Sequence, residues 1–180
     1  MGVALPWGAE LTVDDVWALP DDGRRHELVD GVLLVTPAPS RAHQRAVIRL
    51  GGLLLRAGGD GFEVLPAPFD WLVNPSTLFQ PDIIAARRGD VGETRLERPP
   101  LLAVEVLSPS TSSIDRGTKR LKFEQHGVEA FWLVDPITPS LVVLRLVDGV
   151  YVEAARVEGD EAYTADFPFA VTVVPSDLVV

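Results

Sequence analysis

Apolar and polar positions change period several times along the chain, and each change marks an element. Thr12-Val13-Asp14-Asp15 has the form of a capping box with acids in the first turn, and Pro20 ends the short helix of about two turns that follows. RRHELVDGVLLVT alternates with period two and breaks at Asp30-Gly31, which predicts a β-hairpin. Ser40, after two prolines, caps a helix running to Ala57. Ala46, Val47, Leu50, Leu53 and Leu54 recur there at helical spacing, and Gly58-Gly59 stops it. FEVLPAPFDWLV and LFQPDIIAA are β-rich stretches parted by a turn at Asn74-Pro75-Ser76. Pro66, Pro68 and Pro81 confine their neighbours to strand starts, edges or bulges. Residues 87–100, polar and turn-rich, predict a surface loop.

Leu101 to Leu107, LLAVEVL, reads as a central strand covered on both faces. SPSTSSIDRG leads from it into a helix from about Asp115 to His126, with Gly127 as its C-cap. AFWLVDP predicts another buried strand, and LVVLRLVDGVYVEAARV a hairpin turning at Asp148-Gly149. The last third carries no interpretable motif, and the chain has neither a repeat nor a low-complexity linker. Helix, hairpin, helix, strands, helix, strands is the order of an α+β or mixed α/β fold with helices packed on a central mixed sheet.

Composition narrows this picture. At 180 residues and 47% hydrophobic, the chain suits a single domain over 1–180 with a sizeable core. No stretch approaches the roughly 18 apolar residues of a membrane span. MGVALPWGAE lacks the basic start and apolar run of a secretory signal, and Pro6 breaks the myristoylation pattern that Met1-Gly2 opens. The expected location is cytoplasmic, with no membrane partner. Zero cysteines exclude disulfides, zinc ribbons and thiol nucleophiles. His26, His43 and His126 are not spaced as a metal cluster, so any metal would be held by oxygen, which favours Mg2+ or Mn2+. The net charge of −10 argues against a broad electrostatic footprint for nucleic acid. Local basic patches remain around Arg41, Arg45, Arg49 and Arg56, at Arg87-Arg88, and from Arg116 to Lys122.

Candidate chemistry centres on Glu105, the one carboxylate in an otherwise apolar strand. An ionised side chain buried there loses its hydration, at a cost of several kcal/mol unless a cation compensates it. Asp82 in QPDII belongs to the preceding strand-like run. Glu105 and Leu107 share a strand face, so a Glu-x-Lys pair is not available and the lysine must come from elsewhere. Lys119, four residues before Phe123 and four after Asp115, is best placed. Two acids and a lysine are the minimum set for metal-assisted phosphodiester hydrolysis. Pattern alone favours Glu27 as a solvent-facing strand residue; the alternative is a third acid near the cleft. His43 either reaches a phosphate or caps its helix. Ser108, Ser110 and Thr111, beside a helix start, either receive an anion or serve as ordinary caps.

HELVDGVLLVTPAPS, LPAPFDWLV, QPDII, VEVLSPST and DRGTKRLKFEQHGVEAFWLVDP occur in that order across roughly residues 25 to 150, and with them the chain resembles the Uma2 family of the PD-(D/E)xK restriction-endonuclease-like superfamily. The resemblance implies a restriction-endonuclease-like core, a mixed sheet flanked by helices. It implies Asp82 and Glu105 as metal ligands, Glu27 as an acid completing the metal shell, and Lys119 as the catalytic lysine moved to the helix. Gln80 and His43 match family positions to which the resemblance assigns no role; with Ser108, read from the turn after the central strand, they are the candidate substrate-binding residues. Phe123 stands where family members often have tyrosine, so a hydroxyl is lost. The activity implied is Mg2+-dependent (or Mn2+-dependent) cleavage of DNA, possible homodimers included, since two strands must be cut. Two other readings stand beside it: a non-catalytic scaffold or interaction protein whose acids do structural work, and a metal phosphohydrolase acting on small nucleotides, which suits the acidic charge better.

Overall fold

The computed structural model describes residues 10–109 and 112–180. The opening residues 1–9 and the pair Ser110 and Thr111 lie outside the described residues. In chain order the elements are α1 (Val13–Trp17), β1 (Arg25–Val29), β2 (Val32–Thr36), α2 (Arg41–Gly58), β3 (Phe62–Pro66), β4 (Asp70–Asn74), β5 (Thr77–Phe79), β6 (Ile83–Arg87), β7 (Arg95–Leu96) and β8 (Leu102–Val106). There follow α3 (Ser112–Ile114), a π turn (Asp115–Lys119), α4 (Arg120–Gln125), β9 (Ala130–Asp135), β10 (Ser140–Val147), β11 (Val150–Glu158), β12 (Tyr163–Ala165) and β13 (Val171–Val173).

The local signals act as their chemistry demands. Thr12 and Asp15 close a reciprocal capping box on α1, and Ser40 Oγ accepts the His43 N–H at the start of α2. Asp30 and Gly31 both take positive φ, 49° and 79°, as do Asp148 and Gly149 at 51° and 82°. Those angles match the type I′ turns whose twist suits a two-residue hairpin.

Six strands in the order β11-β10-β9-β8-β6-β3 form the larger sheet. Its central pair, β8 and β9, is parallel, and its other pairings are antiparallel. Five strands, β2-β1-β5-β4-β7, form the second sheet. Alternation along β8 sends Val104 and Val106 to the face covered by α2, where Ala46, Leu50 and Leu54 pack on Ile83 and Trp132. Ala103 and Leu107 point to the opposite face, into a core with Phe79, Phe123 and Phe131 that the second sheet and α4 cover. Each fully buried leucine or phenylalanine contributes roughly 1.5–3 kcal/mol. Glu105 shares parity with Ala103 and Leu107, so the fold aims it between the two sheets.

Two expectations change and a third is extended. Residues 87–100 are not simply a loop: Leu96 is fully buried and β7 pairs in parallel with β4, a single apolar anchor among polar neighbours. The helix expected from Asp115 to His126 starts earlier, at Ser112, and contains a π turn. On α2, whose arginines read as a solvated helix face, Arg45 and the exposed Arg49 also donate to the carbonyls of Val179 and Asp177 at 3.0 and 2.7 Å. Among the described residues, no helix is long and apolar enough to cross a membrane.

Candidate active site

The site forms where β1, the entry to β6, the end of β8 and the π turn meet. Four carboxylates are buried there, Glu27, Asp82, Glu105 and Asp115, each 3% exposed or less. Lys119, 2% exposed, is their hub: its Nζ lies 2.7 Å from Glu105 Oε1, 3.0 Å from Glu27 Oε2 and 3.9 Å from Asp115 Oδ1. The π turn puts Asp115 and Lys119 side by side at its two ends, both facing inward. Glu27 is therefore not the solvent-facing strand residue that its pattern favoured. Its other oxygen accepts the Gln80 main-chain N–H at 2.8 Å, so both oxygens are engaged in holding β5, β1 and Lys119 together.

Asp82 sits just before β6, where Pro81 precedes it. Its Oδ2 accepts the Val106 N–H at 2.7 Å and stands 3.0 Å from His43 Nε2, while Arg25 Nη1 donates to its Oδ1 at 2.6 Å. Val106 follows Glu105, so this bond ties Asp82 to the strand that carries Glu105. Arg25 donates also to the Gln80 carbonyl at 3.1 Å. His43, placed by the capped first turn of α2, holds Asp82 from the other side of the larger sheet's edge, a role beyond capping.

The two acids are tuned in opposite directions. Burial raises the Asp82 pKa, but the His43 hydrogen bond and the Arg25 charge outweigh it and leave the carboxyl well below the usual range. Burial pushes Glu105 well up, against the opposing pull of Lys119 and with the help of Asp82, Asp115 and Glu27. Burial likewise pulls Lys119 down, yet Glu105 and Glu27 together hold its ammonium charged. Burial acts on both acids alike; what separates them is their partners, His43 and Arg25 on Asp82 against Lys119 amid three other acids on Glu105.

Two cavities adjoin the cluster. The larger, about 420 Å³, is reached by Asp82, His43, Ser108, Arg24 and Arg25 between walls that include Pro37 and Pro68. The smaller, about 140 Å³, is lined by Glu27, Asp115 and Lys119, and again by Arg25. Of the residues expected at the site, Gln80 contributes only its main chain. Its side-chain amide donates to Asp70 at 2.7 Å, away from the cluster.

A family model described as "Uma2: Putative restriction endonuclease" matches residues 13–173, a span containing every residue of this cluster. The chain belongs to the Uma2 family. No protein of curated function matches it. Its fold is similar to the crystal structure of "a putative nuclease belonging to DUF820" from Anabaena variabilis, with a TM-score of 0.74, 19% identity, and 94% of this chain and 97% of that one covered. The restriction-endonuclease-like core expected of an Uma2 protein is therefore the fold observed.

Divalent metals are usual in restriction-endonuclease-like proteins, so the donor set of this Uma2 chain bears testing against one. Its chemistry fits: oxygen donors, deep burial and two negative charges left after Arg25 and Lys119. No three acidic or imidazole side chains among the described residues are arranged as a ready-made ligand cage. A hard ion held by Asp82 and Glu105 would take its remaining ligands from water, as magnesium commonly does. Arg25 is the participant that sequence reasoning missed. Two residues before Glu27 in an alternating strand, it necessarily shares that residue's face, and this spacing was the available signal.

Proposed function

We propose that the protein is a divalent-metal-dependent nuclease hydrolysing phosphodiester bonds of DNA, with Asp82 and Glu105 as metal ligands and Lys119 as the catalytic cation. The observation that carries this reading is Glu105: a carboxylate near the end of a fully buried strand, held by Lys119 at 2.7 Å yet pushed well up by burial and by the acids around it. Asp82 and Glu105 would hold a magnesium or manganese ion, which would supply Lewis acidity toward a phosphoryl oxygen and toward water. Lys119 supplies fixed positive charge for the oxygens that gain charge in the transition state. Glu27 and Asp115 position its ammonium group, so no reorganisation is needed as that charge develops. His43 and the Val106 N–H orient Asp82. The larger cavity gives the substrate access to Asp82.

The test is cleavage of plasmid, single-stranded DNA and RNA with Mg2+ or Mn2+, by wild type beside Glu105→Ala and Lys119→Met. Loss of a single transition-state cation is expected to lower kcat about 10²–10³-fold. Equal rates in all three proteins would mean a contaminant and overturn the reading.

Two observations favour narrower alternatives. The net charge of −10 and the 420 Å³ size of the cavity suit a small nucleotide better than a long duplex. Turnover of a phosphodiester dye with no effect on polynucleotides would select that substrate. The Glu105 to Lys119 ion pair is also what a non-catalytic scaffold would keep. A melting temperature indifferent to Mg2+ would select the scaffold.

A further inference from the structure

The two cavities share the wall formed by Arg25, Thr36 and Pro37. Arg25 is the charged member of that wall, with Asp82 and His43 at the larger cavity and Glu27, Asp115 and Lys119 at the smaller. We infer that Arg25 is the phosphate-binding residue of this site, held in waiting on Asp82, and that its transfer to a substrate phosphate opens Asp82 to the metal ion. This rests on the metal-dependent phosphodiester reading and adds to it a residue and a coupling.

The hydrogen bonds define the exchange. Asp82 Oδ2 is committed to the Val106 N–H and His43 Nε2, both on the framework, and these partners need not move. Oδ1 has Arg25, at 2.6 Å, on a long side chain. A metal ion approaching Oδ1 therefore competes with a guanidinium, charge against charge, for the same oxygen. The guanidinium's other hydrogen bond goes to a neutral carbonyl, that of Gln80, and the Glu27 and Glu105 charges attract it from further off. A guanidinium released from Asp82 faces the larger cavity with a planar fork of donors that matches a phosphate bidentately. Arg24, exposed at the same cavity, adds charge of the same sign. Phosphate bound by Arg25 and metal bound by Asp82 then favour one another, and linkage requires the effect to be mutual.

The test is calorimetric titration with Mn2+ of the full chain, wild type beside Arg25→Gln, each with and without saturating thymidine 5′-monophosphate. Arg25→Gln is expected to bind Mn2+ roughly ten-fold more tightly than wild type in the absence of nucleotide, and to show little nucleotide effect. Wild type is expected to gain Mn2+ affinity by a similar factor when the nucleotide is present, with Asp82→Asn as the control for Mn2+ held by the nucleotide alone. Should Arg25→Gln fail to fold, Arg25→Lys keeps the charge, and the nucleotide effect in wild type decides by itself. Equal or weaker Mn2+ affinity in a folded Arg25→Gln, no nucleotide effect in wild type, or no Mn2+ binding to any variant would overturn the inference. Mn2+ binding coupled to the nucleotide without cleavage of any polynucleotide would instead remove the nuclease reading and leave this one standing.

Discussion

Glu105 and Asp82 carry the same charge, yet removing it should move stability in opposite directions. Asp82 has three donors, and its folded pKa is depressed. Its contribution is present above the unfolded value near pH 4 and lost as pH falls through the folded one. Asp82→Asn leaves Arg25 buried without its countercharge, and the expected cost is about 3–5 kcal/mol in denaturant unfolding, with a flatter acid limb than wild type. Glu105 is the reverse. Its folded pKa is raised, so its ionisation costs stability as pH rises from the unfolded value, near 4.3, toward the folded one. In chelator at pH 7, Glu105→Gln is expected to melt at or above wild type and to lack the wild-type decline on going up from pH 4. A large drop in its melting temperature would mean that Lys119 alone satisfies Glu105.

At the scale of elements, the π turn and α4 deliver Lys119, and their position depends on one aromatic. Phe123 is fully buried with its ring centroid 5.4 Å from Trp71, 5.0 Å from Phe79 and 5.1 Å from Phe131, mostly edge to face. Lys122 ties the same helix to Asp30 in the first hairpin turn at 2.6 Å. Phe123→Ala is expected to cost about 3–5 kcal/mol by thermal or denaturant unfolding, and a change under 1 kcal/mol would contradict this packing. These elements were unevenly legible. The Asp30-Gly31 and Asp148-Gly149 turns and the Ser40 cap follow from local chemistry, so period and turn residues revealed them. The lone acid in LLAVEVL was visible for the same reason. The π turn was not, because one extra residue within a short helix barely shifts its apolar spacing. Nor was the inward role of Arg25, since a basic pair at a strand start reads as solvated until tertiary packing sets Arg25 against Asp82.

For the whole molecule, charge and topology pull against each other. Two sheets converge on an acidic cluster inside a chain of net charge −10, and the cations that reach the larger cavity are Arg24 and Arg25. Such a site meets few phosphates at once. Binding of a short single strand should therefore depend weakly on salt, with a slope of log K against log salt on the order of −1 to −2, and a slope of −5 or steeper would point to a long basic track instead. Sheet order was beyond sequence reading: the strand neighbours of β1, for example, are β2, which turn chemistry announces, and β5, which only tertiary packing brings there. The most direct measurement is anomalous diffraction from crystals soaked in manganese. One Mn2+ peak with Asp82 and Glu105 carboxylate oxygens among its ligands is the expected result; a soaked crystal with Asp82 still on Arg25, Glu105 still on Lys119 and no manganese between them would contradict it.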